Sequence, residues 1–234
     1  ILGVVGAILL ITLLALDIEW HPNVGVSAAS CSVSGVIGTD TTWSPATCDP
    51  YIVTASVVVP SGVTLTIAAG TTVKFDFLKG LLVQGTLVAR GTAANPITFT
   101  SNLGTPAKGD WGNIHFTDSS TDATFDGSGA YAGGSVIQYA VIEYAGSAGA
   151  LGALTIEASS PYVDHNTIRN NGAPGIYAWD NSARITNNTI TGNTGNGIVV
   201  LGTVTITNNT ITGNTGAGIF VYGGSVTITN NTIT

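Results

Sequence analysis

Residues 163–234 repeat one phrase: VDHNTIRNNGAPGIYAW from Val163, ITNNTITGNTGNGIVVL from Ile185, ITNNTITGNTGAGIFVY from Ile206 and ITNNTIT from Ile228. The isoleucine of each Asn-Thr-Ile falls at Ile168, Ile190, Ile211 and Ile233, in steps of 22, 21 and 22. A second marker, Gly175-Ile176, Gly197-Ile198 and Gly218-Ile219, keeps nearly the same step. A fixed period in the low twenties, with strand-like rather than helical patterning, points to a solenoid built from short strands. Such a chain buries its core between successive repeats, so 234 residues fit one elongated domain.

Composition narrows the function. Only 8% of residues are charged, six Lys or Arg against thirteen Asp or Glu, for a net charge of −7. Without a basic patch, nucleic acid is excluded as a partner. The 44% apolar content with regular alternation argues for a packed core rather than disorder. Gly, Thr and Asn carry the surface that charged residues usually carry, a habit of exported β-solenoids. No Ser–His–Asp spacing, phosphate loop or metal-ligand cluster is present, so neither cofactor nor metal is expected.

The N-terminal residues 1–16, ILGVVGAILLITLLAL, are continuously apolar. As a helix they reach about 24 Å, short of a hydrocarbon core of roughly 30 Å. They read as the apolar stretch of a secretory signal cleaved near Val26-Ser27-Ala28, or as a retained helix that anchors the chain or builds a filament core. Type IV pilins carry Glu at the fifth position of such a helix, where Val5 stands here. The chain contains no methionine and ends within a repeat at Thr234, so a longer parent chain is expected. Cys31 and Cys48, 17 positions apart, read as a disulfide closing an N-terminal cap and imply an oxidising compartment.

From Tyr51 onward apolar and polar residues alternate. Val57 and Val59 precede Pro60-Ser61-Gly62; Val63, Leu65 and Ile67 alternate with Thr64 and Thr66; Val73 and Phe75 follow Ala69-Gly70-Thr71. Period-two alternation broken by Gly and Pro every eight to twelve residues is a run of short strands. The runs VPSGVTLTIAAGTTVKF, GTLVARGTAANPITFTS and DWGNIHF resemble the opening rungs of secreted right-handed parallel β-helix proteins of the pectate-lyase-like superfamily. The resemblance spans residues 51–234 and implies a bacterial surface or sugar-active protein. The expected fold is therefore all-β, a right-handed parallel β-helix with rungs of 21–26 residues behind an apolar N-terminal helix. Its expected divisions are residues 1–30 as the apolar segment, 31–50 as the cap, and 51–234 as a β-helix truncated at its C-terminus.

In a parallel β-helix, equivalent residues stack at the strand spacing of about 4.8 Å. Ser135–Gly146 aligns with Pro161–Gly172 at an offset of 26, which leaves about four extra loop residues near Gly146–Leu151. Ile142, Ile168, Ile190, Ile211 and Ile233 then form an inward column. Asn166, Asn188, Asn209 and Asn231 form an amide ladder, and Asn171, Asn193 and Asn214 a second one. Asn187, Asn208 and Asn230 begin N-glycosylation sequons that arise with the repeat. The Gly-rich insert 117–134 reads as a solvated loop; Asp118, Asp122 and Asp126 lack the spacing of a calcium loop.

An unpaired buried carboxylate is costly, so Glu157 must face outward and Leu154 and Ile156 inward. Carried along the repeat, that register turns Ile176, Ala178, Ile198, Val200, Ile219 and Val221 inward. It predicts two outward columns, Tyr177–Val199–Phe220 in line with Thr155 and Trp179–Leu201–Tyr222 in line with Glu157. An apolar stripe of this extent marks a binding surface. Val199, Leu201 and Phe220 suggest a dry contact with a protein neighbour, a second copy or a covering C-terminal segment beyond this sequence; Tyr177 and Trp179 suggest stacking platforms for a polysaccharide.

Glu157 and Asp180, flanking Trp179, are the weak catalytic candidates, and no lyase or hydrolase motif is matched residue by residue. Glu143 is expected to pair with Arg169, Tyr162 to meet Arg184, and His165 to fill a turn. The expectation is an exported protein of the extracellular space or cell surface with a structural or adhesive role. Polysaccharide binding or cleavage is the alternative, and a membrane contact arises only if residues 1–16 are retained.

Overall fold

The computed structural model describes residues 28–234; residues 1–27, which carry the signal-or-anchor expectation, lie outside the described residues. Each turn of chain lays one short strand on each of three sides of a prism, and every pairing between turns is parallel. Side I contains Leu81–Val83, Ile114–Phe116, Leu154–Glu157, Ile176–Asn181, Ile198–Gly202 and Ile219–Gly223. Side II runs from Thr72–Phe75 through Ile97–Ser101, Ala140–Glu143, Thr167–Arg169, Thr189–Thr191 and Thr210–Thr212 to Thr232–Ile233. Side III is an eight-stranded sheet from Thr41–Trp43 to Thr227–Thr229. The long strand Tyr51–Val59 bends over a corner and joins sides I and II into one sheet. At the N-terminal end Cys31–Val36 pairs with Tyr51–Val59, and the Cys31–Cys48 disulfide ties this first turn together.

The period-two alternation becomes columns of like residues. On side II Val73, Phe99, Ile142, Ile168, Ile190, Ile211 and Ile233 stack in register, and on side III Ile137, Val163, Ile185, Ile206 and Ile228 do the same. Every member is fully buried except those of the last turn, where no later turn among the described residues covers Ile228 and Ile233. Each buried isoleucine contributes roughly 1.5–3 kcal/mol of apolar burial. The Gly-Ile marker has a steric reason. A Cβ at Gly175, Gly197 or Gly218 would strike the Cγ2 of Ile190, Ile211 or Ile233.

The Asn-Asn pair solves the corner between sides III and II with two different jobs. The first residue turns the chain in the left-handed region, at φ between 50° and 59° for Tyr139, His165, Asn187, Asn208 and Asn230. Asparagine tolerates that conformation better than most residues. The second asparagine points inward and is buried. Asn188 Nδ2 donates to Asn209 Oδ1 (3.0 Å) and to Val163 O (3.0 Å), while its Oδ1 accepts from Asn166 N (2.9 Å) and Asn166 Nδ2 (3.0 Å). Asn171, Asn193 and Asn214 repeat this pattern at the corner between sides II and I. Both predicted ladders are present, and each also holds the carbonyl of a neighbouring turn.

Two expectations about side III need correction. The insert is not merely a solvated loop: Thr124–Phe125 and Tyr131–Gly133 form an antiparallel hairpin whose rings cover the sheet. Phe125 meets Tyr162 edge-on at 5.2 Å and Tyr131 stacks on it at 6.2 Å. Arg184, in register with Tyr162, places its guanidinium 3.6 Å from the Phe125 ring centre instead. An alignment of rungs could not reveal a ring delivered by an insertion. Asp126 closes the hairpin turn by accepting from Ser128 N (2.9 Å) and Ala130 N (3.0 Å).

Beside the hairpin, Asp164 is buried. Burial alone would raise its pKa; hydrogen bonds from Asn187 (2.9 Å), His165 (2.8 Å), Thr186 (2.7 Å) and Gln138 (2.7 Å) outweigh that and hold it below its ordinary value. His165 occupies the turn position expected of it. Glu143 pairs with Arg169 at 2.8 Å, as expected from the alignment.

Two outcomes follow from this packing. Replacing Asn188 with Ala strips partners from Asn166 N, Asn166 Nδ2 and Val163 O, and should cost about 3 kcal/mol or more in urea unfolding. Thr189→Ala on the exposed surface next to it should stay within about 0.5 kcal/mol. Because the Asp164 pKa is lower folded than unfolded, its stabilisation is complete above the unfolded value and fades as pH falls through the folded one. Asp164→Asn should therefore destabilise at neutral pH, with the gap to the natural protein closing below about pH 4 in thermal melts.

Candidate binding face

Side I carries two outward columns that mix titratable, polar and aromatic groups. One column runs Val58, Leu82, His115, Thr155, Tyr177, Val199 and Phe220, in unbroken register. Two positions further along the strands, Glu157, Trp179 and Leu201 make a second column. The register deduced from Glu157 holds: Leu154, Ile156, Ile176, Ala178, Ile198 and Val200 are buried inside.

The extra residues of the 26-residue rung build a wall over the first column. Residues 146–152 turn away from the prism at Gly146 (φ 82°) and Gly149 (φ 94°), values that an L side chain rarely adopts. The wall is pinned to the core where Ser147 N donates to Trp111 O at 3.0 Å. Trp111 itself is fully buried, stacked on Phe75 at 4.0 Å with Nε1 donating to Glu143 O. Between wall and sheet lies a groove of about 400 Å³ lined by Asn113, His115, Ser147, Leu151 and Thr155. A smaller recess of about 230 Å³ shares Asn113 and His115 with the groove and reaches Ser56 and Leu82.

His115 Nε2 and Glu157 Oε2 lie 3.0 Å apart, with both side chains partly exposed (28% and 37%). Asn113 Nδ2 donates to Thr155 Oγ1 at 2.9 Å, and Thr155 Oγ1 donates to Gly152 O at 3.3 Å. The groove is lined by the His115 imidazole, the Asn113 amide and the Ser147 and Thr155 side chains, with the Glu157 carboxylate joined to it through His115, and none of the lining residues is Lys or Arg. No group of His, Cys, Asp and Glu suited to a metal occurs among the described residues.

Of the predicted stripe, Trp179 (37%), Leu201 (45%), Phe220 (42%) and Tyr222 (67%) are exposed, and Tyr177 is half-buried. Val199 is not part of the exposed surface: it lies in register between Tyr177 and Phe220 and is only 4% exposed. Tyr222 does not continue the column of Trp179 and Leu201, because Leu201 pairs with Gly223 across a bulge. The cause is in the spacing. Ile198 to Val204 is one residue shorter than Ile219 to Val226 or Ile176 to Ala183, and bulges absorb the difference on both sides of the short rung. Tyr222 packs instead against Phe220, ring centres 4.7 Å apart.

The weak catalytic candidates separate. Glu157 joins the groove through His115, whereas Asp180 sits at the bulge of Ile176–Asn181, skipped between the Trp179–Leu201 and Asn181–Gly202 pairs, and its side chain lies outside the described residues. Sequence reasoning missed His115 and Asn113 because they precede the clear repeat and have no rung to align with. The available signal was the alternation itself, since His115 lies between inward Ile114 and Phe116.

Among curated protein sequences none matches this chain. A solved structure similar to it is the A-module of the mannuronan C-5 epimerase AlgE4 from Azotobacter vinelandii, at 12% identity over 87% of this chain and 68% of that one, with a TM-score of 0.43. The family described as right handed beta helix region matches residues 107–234, more than half of the chain, and the protein belongs to that family.

Proposed function

We propose that the protein is an exported, surface-associated β-helix that adheres to an uncharged polysaccharide along side I. The observation that carries this reading is the continuity of a polar groove with an aromatic platform. Asn113, His115, Thr155 and Glu157 give way to Tyr177 and Trp179 one turn further along the same columns. Sugar rings need both kinds of contact, hydrogen bonds at their edges and an apolar ring face beneath them. A groove lined by no Lys or Arg, with the Glu157 carboxylate beside His115 in a chain of net charge −7, disfavours polyuronides and favours neutral glycans. The Cys31–Cys48 disulfide and the low charge content support an oxidising, extracellular setting. Among the described residues no helix is long and apolar enough to cross a membrane.

The dry-contact reading that the sequence favoured loses one of its supports with the burial of Val199. Self-assembly keeps one specific observation, the exposed Phe220–Tyr222 pair beside Leu201. Cleavage of a glycan by two carboxylates asks for a partner about 5–10 Å from Glu157, and no carboxylate is among the residues lining the groove.

Binding to a panel of insoluble and soluble neutral polysaccharides, with alginate and pectate as acidic controls, tests the reading. Retention on a neutral member is expected, with Trp179→Ala and Glu157→Gln each weakening it about tenfold, ~1.4 kcal/mol. Absence of binding across the panel, or full binding by both variants, overturns it. A molar mass above the monomer that falls with Phe220→Asp would favour self-assembly instead.

A further inference from the structure

Side II presents a surface of a different kind. From the strand Thr167–Arg169 onward the outward residues are, Arg169 apart, all threonine. Thr167, Thr189, Thr210 and Thr232 stack in one column, and Thr191 and Thr212 stack in a second. Thr234 extends the second column: its N–H donates to Ile211 O, and its carbonyl accepts from Gly213 N. Thr189, Thr210 and Thr232 are exposed, and their hydroxyls have no partner among the described residues.

Three properties make this array unlike an ordinary polar sheet face. It is regular in two directions, with a repeat of about 4.8 Å between turns and about 6.6 Å between alternate residues of a strand. Its register carries no bulge, in contrast to side I over the same turns. It is also clamped at both ends by the buried amide ladders, Asn188–Asn209–Asn231 before each strand and Asn193–Asn214 after it. Two charged groups border the array: the Arg169–Glu143 pair at its start, and Lys108, whose Nζ donates to Gly192 O at 2.6 Å just past Thr191.

We propose that this threonine face binds ice. Each threonine carries one hydroxyl and one methyl at a fixed position, and although Thr212 Oγ1 donates to Thr191 Oγ1 at 3.4 Å, the free hydroxyls of the first column hold water at repeating intervals rather than at a single point. A rigid, uncharged lattice of hydroxyls is complementary to a ligand that is itself an extended, uncharged hydrogen-bonded lattice. A crystalline glycan would call for aromatic platforms, and those lie on side I. The side III strands Thr205–Thr207 and Thr227–Thr229 have the same pattern over two turns only, above which Arg184 and the hairpin intervene.

The test is ice growth in the presence of the full chain, read by crystal shape under a cooling-stage microscope and by recrystallisation of a polycrystalline film. Faceted crystals and arrested coarsening are expected. Thr210→Tyr and Thr212→Lys, both outward substitutions, should each abolish the effect while circular dichroism remains unchanged; Thr205→Tyr on side III should leave it intact. Thr210→Val keeps the shape and the β-propensity and removes the hydroxyl, so it decides the matter if a bulkier variant fails to fold. Rounded crystals with coarsening equal to an albumin control overturn the proposal, as does full activity in Thr210→Tyr. Either result would reduce the threonines to strand-forming residues on an uncharged surface.

Discussion

The structure depends on stacking equivalent residues in parallel register, and the buried asparagine amides make that register unique. An apolar column of isoleucines resists slipping by a single residue, because a slip turns the whole column outward. It does not distinguish one isoleucine of the column from another. The amide does. Asn188 satisfies its oxygen and both hydrogens only when Asn166 and Asn209 lie directly above and below it and Val163 O is alongside. Burying such groups without partners costs more than the isoleucines next to them recover, so the ladder converts a generally sticky solenoid into one with a fixed pitch.

That fixed pitch shapes all three outer surfaces. Where the rungs are equal in their corner lengths, as on side II, the outward residues form a regular lattice. Where one rung is a residue short, side I takes up the difference in bulges, and the predicted straight stripe breaks at Tyr222. Insertions can be accommodated only at corners, and each one becomes a local device. Residues 146–152 become the wall of the groove, and residues 117–134 become a hairpin over side III. The sides of one scaffold are thereby differentiated with little change to the core.

The core, both ladders and the inward–outward register were legible in the sequence, because each repeats and each rests on one physical rule. Glu157 alone oriented side I correctly, through the cost of burying a carboxylate. The groove was not legible. It depends on His115 coming beside Glu157, residues 42 positions apart in a part of the chain where rung lengths vary and no repeat aligns them. Arg184 was assigned to Tyr162 for a related reason: register predicts neighbours within a sheet, and Phe125 arrives from outside it. Sequence periodicity reports what the turns share, and a functional site is made from what one turn has that the others lack.

The proposed glycan lies along the outer face of side I, from Asn113 to Trp179. Amide chemical-shift mapping of the isotope-labelled chain during titration with a neutral oligosaccharide tests that placement most directly. Glycan binding there should shift only the backbone around Asn113–His115, Thr155–Glu157 and Tyr177–Trp179, with the strands of sides II and III silent. Shifts centred on side II or side III, with the groove unmoved, would contradict it.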